Sequence, residues 1–73
     1  MKYIVLKEKD LRDLCNHYDL DYSIFAKYGG AVLYEDGTLY PYNSYYFPSP
    51  ICDHPGLPED YQYFIAQGYI PID

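Results

Sequence analysis

The stretch Ala31-Val32-Leu33-Tyr34-Glu35-Asp36-Gly37-Thr38-Leu39-Tyr40-Pro41-Tyr42 decides the fold. Two runs rich in aliphatic and aromatic residues flank an Asp-Gly pair, and such runs fit a pleated, half-buried surface. Asp36-Gly37 suits a two-residue type I′ turn, because both central positions of that turn need positive φ. Pairing through it sets Leu33 opposite Tyr40 and Tyr34 opposite Leu39. Pro41 has no N–H to give a neighbouring strand, so its strand is expected at an edge or near its end. A hairpin over residues 31–42 is therefore the centre of a small antiparallel sheet.

Upstream, Tyr3-Ile4-Val5-Leu6 is a short run of strand formers and predicts a strand over residues 2–7. Asp10 reads as a helix N-cap, with Asp13 three residues on as a variant of the capping box. Leu11, Leu14, Cys15 and Tyr18 then fall at i, i+3, i+4 and i+7, one face of a helix over residues 10–18. Asp21 is placed to cap a short second helix, with Gly29 to end it. Two helices joined near Asp19 have the outline of a helix-turn-helix. The second carries Lys27 as its only cation, which argues against a DNA reader.

Downstream, Asn43-Ser44 is expected to turn the chain into a further short strand at Tyr45-Tyr46-Phe47. Pro48, Pro50, Pro55, Gly56 and Pro58 mark a loop of restricted backbone freedom over residues 48–58. Pro58 suits the first position of a last helix, with Glu59 and Asp60 favourably placed in its first turn. Tyr61, Phe64 and Ile65 make its apolar face, and Gly68 stops it. Tyr69-Ile70-Pro71-Ile72 is an apolar tail expected to pack back or add to a sheet edge. The expected class is α+β: an antiparallel sheet of two to four strands, packed on one face with two or three short helices. The 73 residues form a single domain, 1–73.

A chain this short buries only about 60% of its unfolded surface, so its core needs support from aromatics, a metal or a partner. The composition includes 12 Tyr, 3 Phe and no Trp. Each aromatic buries roughly 150–250 Å², and each buried phenol wants a hydrogen-bond partner, so some tyrosines belong on the surface. There they give large contact area at low rotamer cost.

The formal net charge is −6, and it is unevenly distributed. Every cation (Lys2, Lys7, Lys9, Arg12 and Lys27) lies in the first 27 residues, matched there by Glu8, Asp10, Asp13, Asp19 and Asp21. From residue 28 onward there are only acids: Glu35, Asp36, Asp53, Glu59, Asp60 and Asp73. An uncompensated negative surface repels nucleic-acid phosphates and anionic membranes, and it attracts a basic protein. The apolar run after Met1-Lys2 is too short for a signal-peptide core, and no stretch approaches membrane-spanning length. A cytoplasmic site of action is the expectation, in the host cell if the chain is phage-encoded. Two cysteines there make no disulfide framework.

Cys15-Asn16-His17 and Cys52-Asp53-His54 contain every Cys and His of the chain, and together they form a Cys₂His₂ set of the type zinc takes. The spacing argues against it, since residues i and i+2 point to nearly opposite sides of a helix. Cys15 also fits the apolar helix face as a core residue. A nucleophilic role for Cys52 with His17 or His54 as base lacks any supporting pattern, and the chain is short for a buried pocket. Gly29-Gly30 lacks the other residues of a nucleotide-binding loop. No enzyme activity, metal or cofactor is expected.

The remaining constellation is acids with tyrosines. Tyr40, Tyr42, Tyr45 and Tyr46 are the expected contact residues, with Glu35, Asp36, Asp53, Glu59 and Asp60 supplying charge. In size, acidity and aromatic content the chain is similar in general character to small phage- or plasmid-encoded inhibitors such as DNA mimics, uracil-DNA glycosylase inhibitors and anti-CRISPR proteins. No motif carries that likeness, so no residue role comes with it. The expected function is docking on a basic surface of a larger protein. Two alternatives stand beside it: a homodimer formed through a strand edge or tyrosine patch, and a small zinc domain. The first reading requires acids and phenols to share one exterior patch.

Overall fold

A computed structural model describes residues 1–42 and 57–73. Its element order is β1 (Tyr3–Val5), α1 (Glu8–Tyr18), α2 (Tyr22–Lys27), β2 (Ala31–Tyr34), β3 (Leu39–Pro41) and α3 (Pro58–Ala66). The strands form an antiparallel sheet in the order β1-β2-β3. This is the small α+β fold expected from the sequence, with Pro41 on an edge strand among the described residues. The further strand at Tyr45-Tyr46-Phe47 and the proline loop up to residue 56 lie outside the described residues.

The hairpin register differs from the one the Asp-Gly pair predicts. Leu33 pairs with Leu39, Val32 with Tyr40 and Ala31 with Pro41. Glu35, Asp36 and Gly37 form a three-residue loop, closed by the Tyr34 N–H on the Thr38 carbonyl (2.9 Å) and the Gly37 N–H on the Tyr34 carbonyl (2.9 Å). Only Gly37 takes positive φ there, at 92°, the form that follows a type I turn with a glycine bulge. Residues directly opposite in a sheet share a face, and a one-residue slip moves a whole set across it. The two-residue turn would have paired each leucine with a tyrosine. The three-residue loop sorts Ala31, Leu33 and Leu39 to one side and Val32, Tyr34 and Tyr40 to the other.

The sorted side is the core. Ile4, Leu6, Ala31, Leu33 and Leu39 meet Leu11, Leu14 and Cys15 of α1, Phe25 of α2, and Tyr61 and Phe64 of α3 in one buried cluster. All three helices thus cover the same face of the sheet. Each fully buried side chain of the size of Phe25 or Leu11 contributes about 1.5–3 kcal/mol by leaving water.

The helix ends also correct one expectation. α1 begins at Glu8 with Lys7 as its cap, and no side chain caps it; Asp10 lies inside the first turn instead of before it. The first intrahelical bond, from the Leu11 N–H to the Lys7 carbonyl (2.9 Å), comes one turn earlier than Asp10 would allow. An acid inside the first turn is still favourable toward the helix dipole. The remaining end signals act as read. Asp21 caps α2 through the Ser23 N–H (3.0 Å), Pro58 opens α3, and Gly68 ends it at φ 109°. The tail returns to the sheet, where Tyr3 and Ile72 exchange backbone hydrogen bonds of 2.9 and 2.8 Å. No helix among the described residues is long and apolar enough to cross a membrane.

Candidate interaction surface

Strand alternation sends Tyr3, Val5, Val32, Tyr34 and Tyr40 to the face opposite the helices. Tyr3 and Tyr34 are direct cross-strand partners, with ring centroids 5.5 Å apart and tilted by 47°. Tyr34 meets Tyr40 edge-on at 5.3 Å and 81°. A continuous run of phenol rings therefore crosses all three strands. Edge-to-face contacts of this kind are worth about 0.5–1.5 kcal/mol beyond burial, so the run is a stiff surface. The rings are half-buried and show the rest of their area to solvent.

At the hairpin end this run borders a small pocket of about 180 Å³, lined by Met1, Tyr34, Asp36, Thr38 and Tyr40. The Asp36 carboxylate accepts the Thr38 N–H at 2.9 Å. That backbone bond, with help from the Thr38 side chain, holds the Asp36 carboxyl below the usual carboxylate range. Asp36 therefore favours its charged form at the edge of the tyrosine run. Glu35 beside it is exposed. No Lys or Arg lines this pocket. Lys2, whose carbonyl accepts the Glu35 N–H (3.0 Å), is one residue out of phase with Tyr3, so alternation directs it away from the tyrosine face.

The residues expected to act together divide into two groups. Glu35, Asp36 and Tyr40 gather at the hairpin end. Tyr42 is exposed just beyond β3, two residues from Tyr40. Glu59 and Asp60 lie at the start of α3, and Asp60 lines a different groove of about 380 Å³ between α1 and α3. The two pockets share no lining residue. Tyr45, Tyr46 and Asp53 lie outside the described residues.

Asp60 is occupied: Tyr18 at the end of α1 donates its O–H to it at 2.5 Å. At the other end of α1, Tyr69 donates its O–H to Asp10 at 2.5 Å, and its oxygen accepts the Lys7 N–H at 2.9 Å. Both phenols are pushed up to about 12. For Tyr18 the bond to Asp60 is the main cause. For Tyr69 the main cause is burial, followed by the bond to Asp10. These two bonds clamp the antiparallel helices α1 and α3 at both ends of the groove between them. The sequence pattern placed Tyr18 on the core face but gave no signal for its carboxylate partner.

Cys15 is buried in the core, whereas His17 is exposed, its ring edge-on to Tyr18 at 4.7 Å. The two therefore diverge, as i and i+2 on a helix must. Among the described residues no group of His, Cys, Asp and Glu is arranged to hold a metal ion. Cys52 and His54 lie outside those residues. The cations of α1 have partners on the same helix, Lys9 with Asp13 and Arg12 with Glu8, each at 3.0 Å. Arg12 also lies over the Tyr22 ring at 4.6 Å. Comparison with known proteins gives no relative to lean on: no family model matches the chain, and neither a curated protein nor a solved structure matches it.

Proposed function

We propose that this chain is a protein-binding module, without catalytic activity, whose tyrosine face docks on a basic surface of a larger protein. The observation that carries this reading is the run Tyr3–Tyr34–Tyr40 ending beside Asp36, whose carboxyl is held below the usual carboxylate range, with no Lys or Arg lining the pocket. Tyrosine-rich faces bind well because rigid amphipathic rings lose little rotamer freedom on contact. Carboxylates at the rim steer a positive partner in and repel phosphate backbones. A Lys- or Arg-rich groove, such as one that normally holds nucleic acid, has the matching chemistry, and occupying it would make the module an inhibitor. The cytoplasm is the proposed site of action.

The charge complement is smaller than the sequence reading required. Glu59 and Asp60 are not part of the hairpin patch, so the proposed contact rests on Glu35, Asp36 and the rings. The test is affinity capture from the native host, run in parallel with wild type, Tyr34→Ala and Tyr40→Ala at low and raised salt. A basic protein retained by wild type, released by salt and lost with either alanine variant supports the reading. A partner held equally by all three chains, or indifferent to salt, overturns it.

A further inference from the structure

A second surface carries charges of both signs. Where β1, α1, α3 and the tail meet, a groove of about 550 Å³ runs past Val5, Tyr63 and Ile70. Ile70 is 82% exposed and Tyr63 60% exposed, and Ile72, paired to Tyr3 beside them, is also exposed. A single exposed apolar side chain means little, but Val5, Tyr63 and Ile70 together give this otherwise polar groove an apolar rim. The charged walls carry both signs, Lys7 and Lys9 against Asp10 and Asp13.

We propose that this groove is the contact for a second copy of the same chain, related by a two-fold axis. In a two-fold interface one patch meets itself, so it must contain its own complements. The tyrosine face lacks that balance at its hairpin end, where the pocket carries Asp36 and no Lys or Arg. The tail groove has it. Its apolar residues face their own copies, while Lys9 meets Asp13 of the second copy and Asp13 meets Lys9. Lys9 and Asp13 already pair within α1, but both side chains are well exposed, at 85% and 63%. An exposed i, i+4 pair is worth only about 0.3–0.5 kcal/mol, so exchanging it for an intermolecular pair costs little. The dimer leaves the hairpin end of each tyrosine face, with Tyr34, Asp36 and Tyr40, outside the interface, which gives a two-headed binder.

Sedimentation across a concentration series tests this on the full chain. Wild type should pass from monomer to dimer mass below about 100 µM, a midpoint equivalent to roughly −5 to −6 kcal/mol. Ile70→Asp should remain monomeric over that range. Lys9→Glu and Asp13→Lys should each weaken self-association at least about tenfold. Mixed together, the two should associate again, because each supplies the charge the other lacks. The doubly swapped chain, Lys9→Glu with Asp13→Lys, should dimerise like wild type. Circular dichroism confirms that each variant is folded. Tyr34→Ala and Tyr40→Ala should leave the dimer unchanged, which separates this result from the docking test. A wild type that stays monomeric to about 1 mM, or a dimer indifferent to Ile70→Asp and to both single charge swaps, overturns the proposal.

Discussion

Tyr18 and Tyr69 carry the same phenol as Tyr34 and Tyr40, yet the two pairs do different work. Tyr18 and Tyr69 each donate a hydrogen bond to a carboxylate that lies far away in sequence and so fasten α3 and the tail to α1. Tyr34 and Tyr40 contact each other and line a pocket, and the ring contacts leave part of their area to solvent. The acids divide in the same way. Asp10 and Asp60 accept phenols and anchor helices, whereas Glu35 and Asp36 stand at a loop tip. One residue type thus contributes to stability on the helical side and offers contact area on the sheet side. Among the described residues, the difference lies in which hydroxyls donate to a carboxylate.

Truncation should expose that division most strongly. Tyr69→Ala removes a ring packed edge-on against Phe64 at 5.5 Å and also the bond to Asp10. A loss of about 2–3 kcal/mol in urea unfolding is expected. Tyr40→Ala should cost well under half as much in the same assay, since its ring is not part of the core cluster. Its effect belongs to binding. Partner affinity should fall about tenfold or more, mainly through faster release, as measured by surface plasmon resonance. If Tyr40→Ala proves as destabilising as Tyr69→Ala, the distinction between anchoring and presenting tyrosines fails.

Alkaline pH separates the pairs more gently. Tyr18 and Tyr69 titrate at about 12 in the folded chain, above the value near 10 of an unconstrained phenol. A raised folded value means that their contribution is complete below pH 10 and disappears as pH rises toward 12. Thermal unfolding followed from pH 9 to 12 should therefore show stability declining over that window. In the Tyr18→Phe, Tyr69→Phe double variant the decline should flatten, at a cost near neutrality of about 1 kcal/mol per lost bond. Tyr34→Phe with Tyr40→Phe removes neither of these bonds and serves as the control.

Local signals in the sequence were strong enough to locate the elements, and weakest where distant groups decide the outcome. The i, i+3, i+4, i+7 spacing from Leu11 to Tyr18 found α1, and Pro58 with Gly68 bracketed α3, because those signals are made within one turn of chain. The hairpin was found through Asp36-Gly37, but its register was set by which side chains the helices cover, and Leu33 opposite Leu39 satisfies that demand. The candidate surface was legible in part. Tyr40 and Asp36 were identified from composition and turn position. Tyr3 and Tyr34 were missed because their partnership is a cross-strand contact that exists only in the correct register. Glu59 and Asp60 were grouped with the hairpin on charge alone, and charge does not specify which side of the sheet a helix start will occupy.

Asp36 and Asp60 provide the smallest and sharpest version of the comparison. Asp36→Asn keeps an oxygen that can accept the Thr38 N–H, so stability near neutrality should change by only a few tenths of a kcal/mol, about the size of a surface charge effect. Because the Asp36 carboxyl is held low in the folded chain, its contribution is present above the unfolded value near 3.9 and is lost as pH falls through the folded one. The variant should therefore unfold slightly less steeply in acid. Removing this charge should slow partner capture and reduce the salt dependence of the on-rate while leaving release unchanged. Asp60→Asn should behave in the reverse manner, weakening the hold of Tyr18 on α3 and leaving capture alone. If both variants affected capture alike, the anionic surface would extend around the molecule from hairpin to helix, and the separation of the two sides would lose its functional meaning.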